Sequence, residues 1–274
     1  MGKKTLEFSN EHGTIKVGSK GAALLSYKHR NEWIIPEFSG EKESDRWKTG
    51  YVLFPFPARL YEGRVFEFDK TTWHWPLNDL SKTSAIHGLT AYQEFFLAIS
   101  NSGISAVWEY DGGQHCFPFP CQLIIQYKLT SNGLEQYVHV TNLGSTVLPF
   151  HLGWHPYFMV EGSWSLDGVL QSEYRYNAKK HPNGVFEFSG LDNQSELDKA
   201  VRAFDSKPEL RLEDQKKVIT INGMTPWYQI FKPVRSKFIA VEPLTGVGHP
   251  DTPWETLAPG QDKVFINTLT VDLK

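Results

Sequence analysis

The sequence predicts an all-β protein, a large antiparallel β-sandwich or barrel, built as a single domain over residues 1–274. Turn motifs recur along the chain, among them EHGT (11–14), SKGA (19–22), YEGR (61–64), DGGQ (111–114), SNGL (131–134), HPNG (181–184) and APGQ (258–261). Between them lie short runs rich in β-branched and aromatic residues. The 22 glycines and 16 prolines supply the punctuation that many short strands need.

The elements follow in order. EFFLAIS (94–100), CQLIIQYKL (121–129) and EQYVHVTNL (135–143) read as strands, as do KVITING (217–223), KFIAVEPL (237–244) and KVFINTLTV (263–271). In EQYVHVTNL, Tyr137, His139 and Thr141 share one face and Val138 and Val140 the other, the period of two that a half-buried strand shows. One segment has a different period. In NQSELDKAVRAFD (193–205), Leu197, Ala200, Val201 and Phe204 recur at helical spacing, which predicts a helix. The chain shows no repeat and no low-complexity linker. At 274 residues it can bury about 70–75% of its unfolded surface, so it needs no disulfide or metal staple.

Composition narrows function. The formal net charge of −3 gives no basic footprint for nucleic acid. No apolar run approaches the length of a membrane span. The N-terminal residues carry no apolar leader core, so a cytoplasmic location is expected. Neither a G-x-G-x-x-G motif nor a P-loop occurs, and no cofactor is expected. Cys116 and Cys121 flank FPFP at a spacing unlike common zinc patterns and read as free thiols. Aromatics reach 14%, which fits both a thick core and a cleft that stacks on flat apolar faces.

Four segments carry candidate chemistry. In HLGWHPYF (151–158), His155 stands at a strand end before Pro156, while Gly153 and Pro156 argue against the helix that a four-residue metal-binding histidine pair uses, so no metal site is expected. In SAIHGL (84–89), His87 precedes Gly88, where the backbone can turn tightly or a ligand approach closely. In FIAVEPLTG (238–246), Glu242 closes an apolar run before Pro243, a position where partial desolvation raises a carboxyl toward the range of a general base. In FPFPARLYEG (54–63), Arg59 offers a fork for two ligand hydroxyls, or a salt bridge to Glu62 or Glu67.

Taken together and in order, FPFPARLYEGRVFEF, LNDLSKTSAIHGL, HLGWHPYF, SELDKAVRAF, AVEPLTG and LAPGQDKVFINTLTV resemble the aldose 1-epimerase (galactose mutarotase-like) family over nearly the whole chain. The resemblance implies a large β-sandwich with an open sugar-binding cleft. It implies Glu242 as general base at the C1 hydroxyl, His155 as general acid at the ring oxygen, and His87 as a second histidine near that oxygen. It further implies Arg59 and Asp198 as ligands of sugar hydroxyls, with Asp192 a rival to Asp198; Trp154, beside His155, and Trp227, in TPWYQIF, are further candidates for binding the sugar and reshaping the cleft. Ala58 and the pair Gly153–Trp154 depart from residues common in galactose-type members, which bears on the sugar accepted rather than on the chemistry. The implied partner is a free sugar; the protein is expected to be a monomer or homodimer. Alternatives are an epimerase of hexose 6-phosphates, with Arg64, Arg175 and Lys232 as phosphate ligands, a sugar sensor without turnover, and a glycosidase using two carboxylates.

Overall fold

Buried and half-buried residues alternate strictly along Cys121–Thr130 and Gly133–Asn142, so each strand gives one side to the core and the other to solvent. In this computed structural model, which describes residues 4–37, 50–191, 196–234, 236–249 and 252–274, the two strands form the centre of an eight-stranded sheet. Its order is Ser165–Asp167, Glu209–Glu213, Lys217–Asn222, Asp262–Leu273, Gly133–Asn142, Cys121–Thr130, Gly103–Tyr110 and Phe96–Ser100. All its ladders are antiparallel.

A second eight-stranded antiparallel sheet faces it. Its order is Pro182–Glu187, Leu170–Tyr176, Leu197–Ala203, Trp227–Lys232, Phe238–Leu244, Gly153–His155 and Tyr51–Leu53, with Tyr157–Met159 also paired to Phe238–Leu244. The two sheets share one core. Leu123, Ile125 and Val138 from the first meet Val201, Tyr228, Ile230 and Val241 from the second, all fully buried. Each such side chain contributes about 1.5–3 kcal/mol of hydrophobic stabilisation. The rings of Tyr127 and Trp154 meet across the layers at 6.4 Å. A four-stranded antiparallel sheet, Thr5–Asn10 to Glu32–Ile35, joins the same core through Ile15, Val17 and Tyr27. This is the sandwich the sequence predicts, and the strands expected at 94–100, 121–129, 135–143, 217–223, 237–244 and 263–271 are present.

Two expectations need correction. The helix over 193–205 does not form: Leu197–Ala203 is a strand, paired on one side with Trp227–Lys232 and on the other with Leu170–Tyr176, and residues 193–195 lie outside the described set. Both faces of this strand carry fully buried residues, although Asp198 and Arg202 on the outer face stay half-buried. Val201 points into the main core and Ala200 into a smaller cluster with Tyr174 and Leu244, so adjacent apolar residues mimic a helical stripe. The second correction concerns Glu242, which does not close its strand: the strand continues through Pro243 to Leu244.

The way the chain passes Pro243 builds the site. Tyr157 pairs with Ala240, whereas Gly153 pairs with Leu244. Between these contacts the ladder on that side of the strand is interrupted. Pro156 and Pro243, neither of which has an N–H to give a ladder, fall in the interruption. His155 and Glu242 flank the same gap.

Candidate active site

A cleft of about 480 Å³ opens on the outer face of the second sheet, lined by Arg59, His87, His155, Asp198, Gln229 and Glu242 among others. Glu242 and Gln229 stand directly opposite each other on neighbouring strands, and Asp198 opposes Phe231 one strand further on. Alternate residues of a strand project to the same face, so this register alone gathers the polar groups. His155 comes from the short strand on the other side of Glu242. Its Nε2 lies 3.4 Å from Glu242 Oε1, and both side chains are almost fully buried. Glu242 Oε2 has no hydrogen-bond partner among the described residues. The His155 ring is stacked on Tyr157 at 5.0 Å and meets the edge of His87 at 5.2 Å.

Arg59 and His87 arrive on loops. Isolated bridges join Phe54 to Gly88 and Arg59 to Ile86, and the His87 amide donates to the Ala58 carbonyl at 2.9 Å. His87 and Gly88 both take left-handed backbone conformations, φ 63° and 61°. A Cβ on Gly88 would lie 2.3 Å from the Phe54 carbonyl oxygen, so the turn that aims His87 needs glycine there. Asp79 organises the neighbouring loop. It accepts from the Thr83 and Ser84 amides at 2.8 and 3.0 Å and from the Ser81 hydroxyl. Burial alone would raise its pKa, but these bonds hold the carboxyl below its ordinary value. Asp79 in turn sits 4.0 Å from Arg59 Nε, in place of the Glu62 or Glu67 bridge that the sequence offered.

Electrostatics single out the buried pair. Burial, and then the negative charge of Asp198, push Glu242 well above the usual carboxylate range. Burial pushes His155 down to about 3. His87 lies well below its ordinary value, through burial first and then the charges of His155 and Arg59. Burial thus favours a neutral carboxylic acid beside a neutral imidazole. That state holds one proton, as does the carboxylate–imidazolium form, so a single transfer between partners interconverts them.

The structure therefore brings together Glu242, His155, His87, Arg59 and Asp198. It leaves both tryptophans off the lining. Trp154 is buried in the core against Tyr127, because it alternates with His155 and faces the opposite side of the sheet. Trp227 packs on Tyr174 at 5.1 Å, and Gln229, two residues on, is the one that reaches the cleft. Asp192 lies outside the described residues. Arg64, Arg175 and Lys232 do not line the cleft; Arg175 lies over Phe186 and Lys232 over Trp164. The histidines of HLGWHPYF serve separate surroundings: His151 stacks on Trp254 at 4.3 Å and approaches the Thr245 hydroxyl. Among the described residues no three His, Cys, Asp or Glu side chains form a group that could hold a metal ion. Cys116 and Cys121 are free. No helix among the described residues is long and apolar enough to cross a membrane. Sequence reasoning missed Tyr157, Tyr176, Lys180 and Gln229 as lining residues. Tyr157 had a readable signal, since it lies two residues after His155 on the same side of an extended chain.

Comparisons with known proteins bear on this geometry. The sequence model of the family described as Aldose 1-epimerase matches residues 4–262. The chain is 25% identical over 154 residues to the uncharacterized protein YihR of Escherichia coli K12, an alignment covering 56% of this chain and 49% of that protein. It thus spans about half the length of that curated relative. In fold it is similar to a galactose mutarotase-like protein from Clostridium acetobutylicum, with a TM-score of 0.83 and 18% identity over 98% of this chain and 95% of that one. It is also similar to galactose 1-epimerase from Lactobacillus acidophilus NCFM, with a TM-score of 0.80 and 15% identity over 99% and 95% of the two chains. With the family's sequence pattern running through nearly every strand that builds the cleft, the chain belongs to the aldose 1-epimerase family.

Proposed function

We propose that the protein is a mutarotase that interconverts the α and β anomers of a free hexose by acid–base catalysis. The observation that carries this reading is the buried Glu242–His155 pair, 3.4 Å apart on the floor of the cleft. In the reaction, the Glu242 carboxylate takes the proton of the C1 hydroxyl while the His155 imidazolium gives one to the ring oxygen. The C1–O5 bond breaks and C1 becomes the carbonyl carbon of the open-chain aldehyde. Rotation about C1–C2 and the reverse proton transfers close the ring on either face. Atoms and protons balance without an external reductant or nucleophile, and each proton transfer contributes on the order of 10²–10⁴-fold. His87 is placed to assist at the ring oxygen, and Arg59 and Asp198 to hold sugar hydroxyls.

The lining charges support an unphosphorylated substrate. Asp79, Glu196 and Asp198 outnumber Arg59 and Lys180, and both cations already face carboxylates. A phosphate needs charge-assisted donors that are not already committed.

Polarimetry on freshly dissolved α-D-glucose and α-D-galactose tests the reading. Wild type is expected to speed the drift to the anomeric equilibrium. Glu242→Gln is expected to lose at least about a hundredfold in rate while still binding sugar in calorimetry. A Glu242→Gln variant as active as wild type would remove Glu242 as the base.

A further inference from the structure

Lys180 reaches the cleft from a turn whose backbone fixes its direction. The Asn177 carbonyl accepts from the Lys180 amide at 2.8 Å, and Asn177 Oδ1 accepts from the amides of Lys179 and His181 at 2.9 and 3.1 Å. Lys180 itself is left-handed, with φ 60°. The buried His181 ring bonds Ser84 Oγ at 2.9 Å, which docks this turn onto the loop carrying His87.

From there Lys180 Nζ lies 2.8 Å from Asp198 Oδ2 and 3.6 Å from Glu196. Asp198 Oδ1 accepts from Gln229 Nε2 at 2.9 Å, and Gln229 Oε1 accepts from the Tyr176 hydroxyl at 2.6 Å. A line of hydrogen bonds, Tyr176–Gln229–Asp198–Lys180, therefore crosses neighbouring strands beside Glu242. The other charged or titratable groups lining the cleft near Glu242 are His155 and Tyr157, two residues apart on its far side, His87 and Arg59 from the loops, the buried Asp79, and Glu196. Arg59 is already opposite Asp79. Asp198 is the anion whose charge acts on Glu242, and Lys180 is the cation paired with Asp198.

We propose that Lys180 is a positioning residue for the base: it holds Asp198 in place and offsets the negative charge beside Glu242, so that Glu242 ionises where the site works. The inference rests on the reading of Glu242 as base. The hydrogen bond to Asp198 raises the proton affinity of Lys180, which keeps it a cation. Losing that cation leaves the Asp198 charge unopposed and holds the proton on Glu242 to higher pH.

The test compares Lys180→Met and Lys180→Arg with wild type across pH. For Lys180→Met, kcat/KM is expected to fall at least about threefold relative to wild type on the acidic side, with the ratio recovering as pH rises. Lys180→Arg is expected to restore the profile. Nuclear magnetic resonance of the ¹³C-labelled Glu242 carboxyl is expected to show its titration moved to higher pH in Lys180→Met. A ratio independent of pH with an unmoved Glu242 titration overturns the proposal. So does a uniform rise in KM with an unmoved titration, which would make Lys180 a direct sugar ligand. If wild type turns over no sugar, the mutarotase reading fails, while the carboxyl titration still decides the role of Lys180.

Discussion

The reaction proposed for His155 and Glu242 needs one proton between them. With two protons on the pair the base is lost, and with none the acid is lost. The pH–rate profile of kcat/KM is therefore expected to be bell-shaped, its limbs belonging to the pair rather than to either residue. His155→Ala is expected to lose at least about a hundredfold in kcat/KM and the alkaline limb with it. A variant that keeps a two-sided profile would place the acid elsewhere. At this scale the sequence was informative wherever a polar group stood out against its neighbours: Glu242 after Phe238–Val241, His87 between Ile86 and Gly88, and His155 before Pro156 all line the cleft. It was uninformative for Lys180 and Tyr176, because a lysine in a polar turn and a tyrosine in an aromatic-rich strand look ordinary until the register of distant strands is known. It misdirected attention to Trp154, since size and adjacency to His155 count for nothing when neighbouring strand residues point to opposite faces.

The elements that carry these residues differ in how firmly they are held. Glu242 and Gln229 belong to long ladders, whereas Arg59 and His87 hang on isolated bridges and on a left-handed pair of residues. Gly88→Ala adds a Cβ at 2.3 Å from a carbonyl oxygen and forces alanine into a left-handed conformation. A loss of about 1–3 kcal/mol in denaturant unfolding is expected, with kcat reduced because His87 is displaced. Unchanged stability and kcat would show that the turn relaxes freely. The strand at Leu197–Ala203 shows why element prediction failed in one place. A strand buried on one face alternates and is legible; a strand with buried apolar residues on both faces loses the period of two, and Leu197, Ala200 and Val201 then fit a helical stripe equally well. Only pairing with Trp227–Lys232 and Leu170–Tyr176 decides, and pairing is a long-range fact.

For the molecule as a whole, buried histidines couple the fold to acidity. His151 and His155 are each lowered by burial from 6.5 to about 3. Between those values the unfolded chain binds protons that the folded chain refuses, so stability falls as pH falls through that window. Glu242 has the opposite sign: its raised value lets the folded chain keep a proton that the unfolded chain releases above 4.5, adding stability as pH falls toward that point. His151 lies outside the cleft, which makes it the cleaner probe. His151→Gln is expected to flatten the dependence of unfolding free energy on pH by about 1.4 kcal/mol per pH unit below about pH 6. An unaltered slope would mean that His151 takes up its proton without unfolding.

The interrupted ladder at Pro156 and Pro243 has a consequence for how such a protein can diversify. The groups proposed to move protons are held by the sheet, where a change of length would shift every neighbouring strand. Arg59, proposed to hold sugar hydroxyls, and the cleft-lining residues Leu80 and Ser81 sit on loops with few ladder bonds at stake. Selection can therefore recut the recognition loops for a new pattern of hydroxyls while inheriting the acid–base pair intact. A library confined to Ala58, Arg59, Leu80 and Ser81, which line the cleft and lie outside the buried core, is the region in which a change of sugar preference costs the scaffold least.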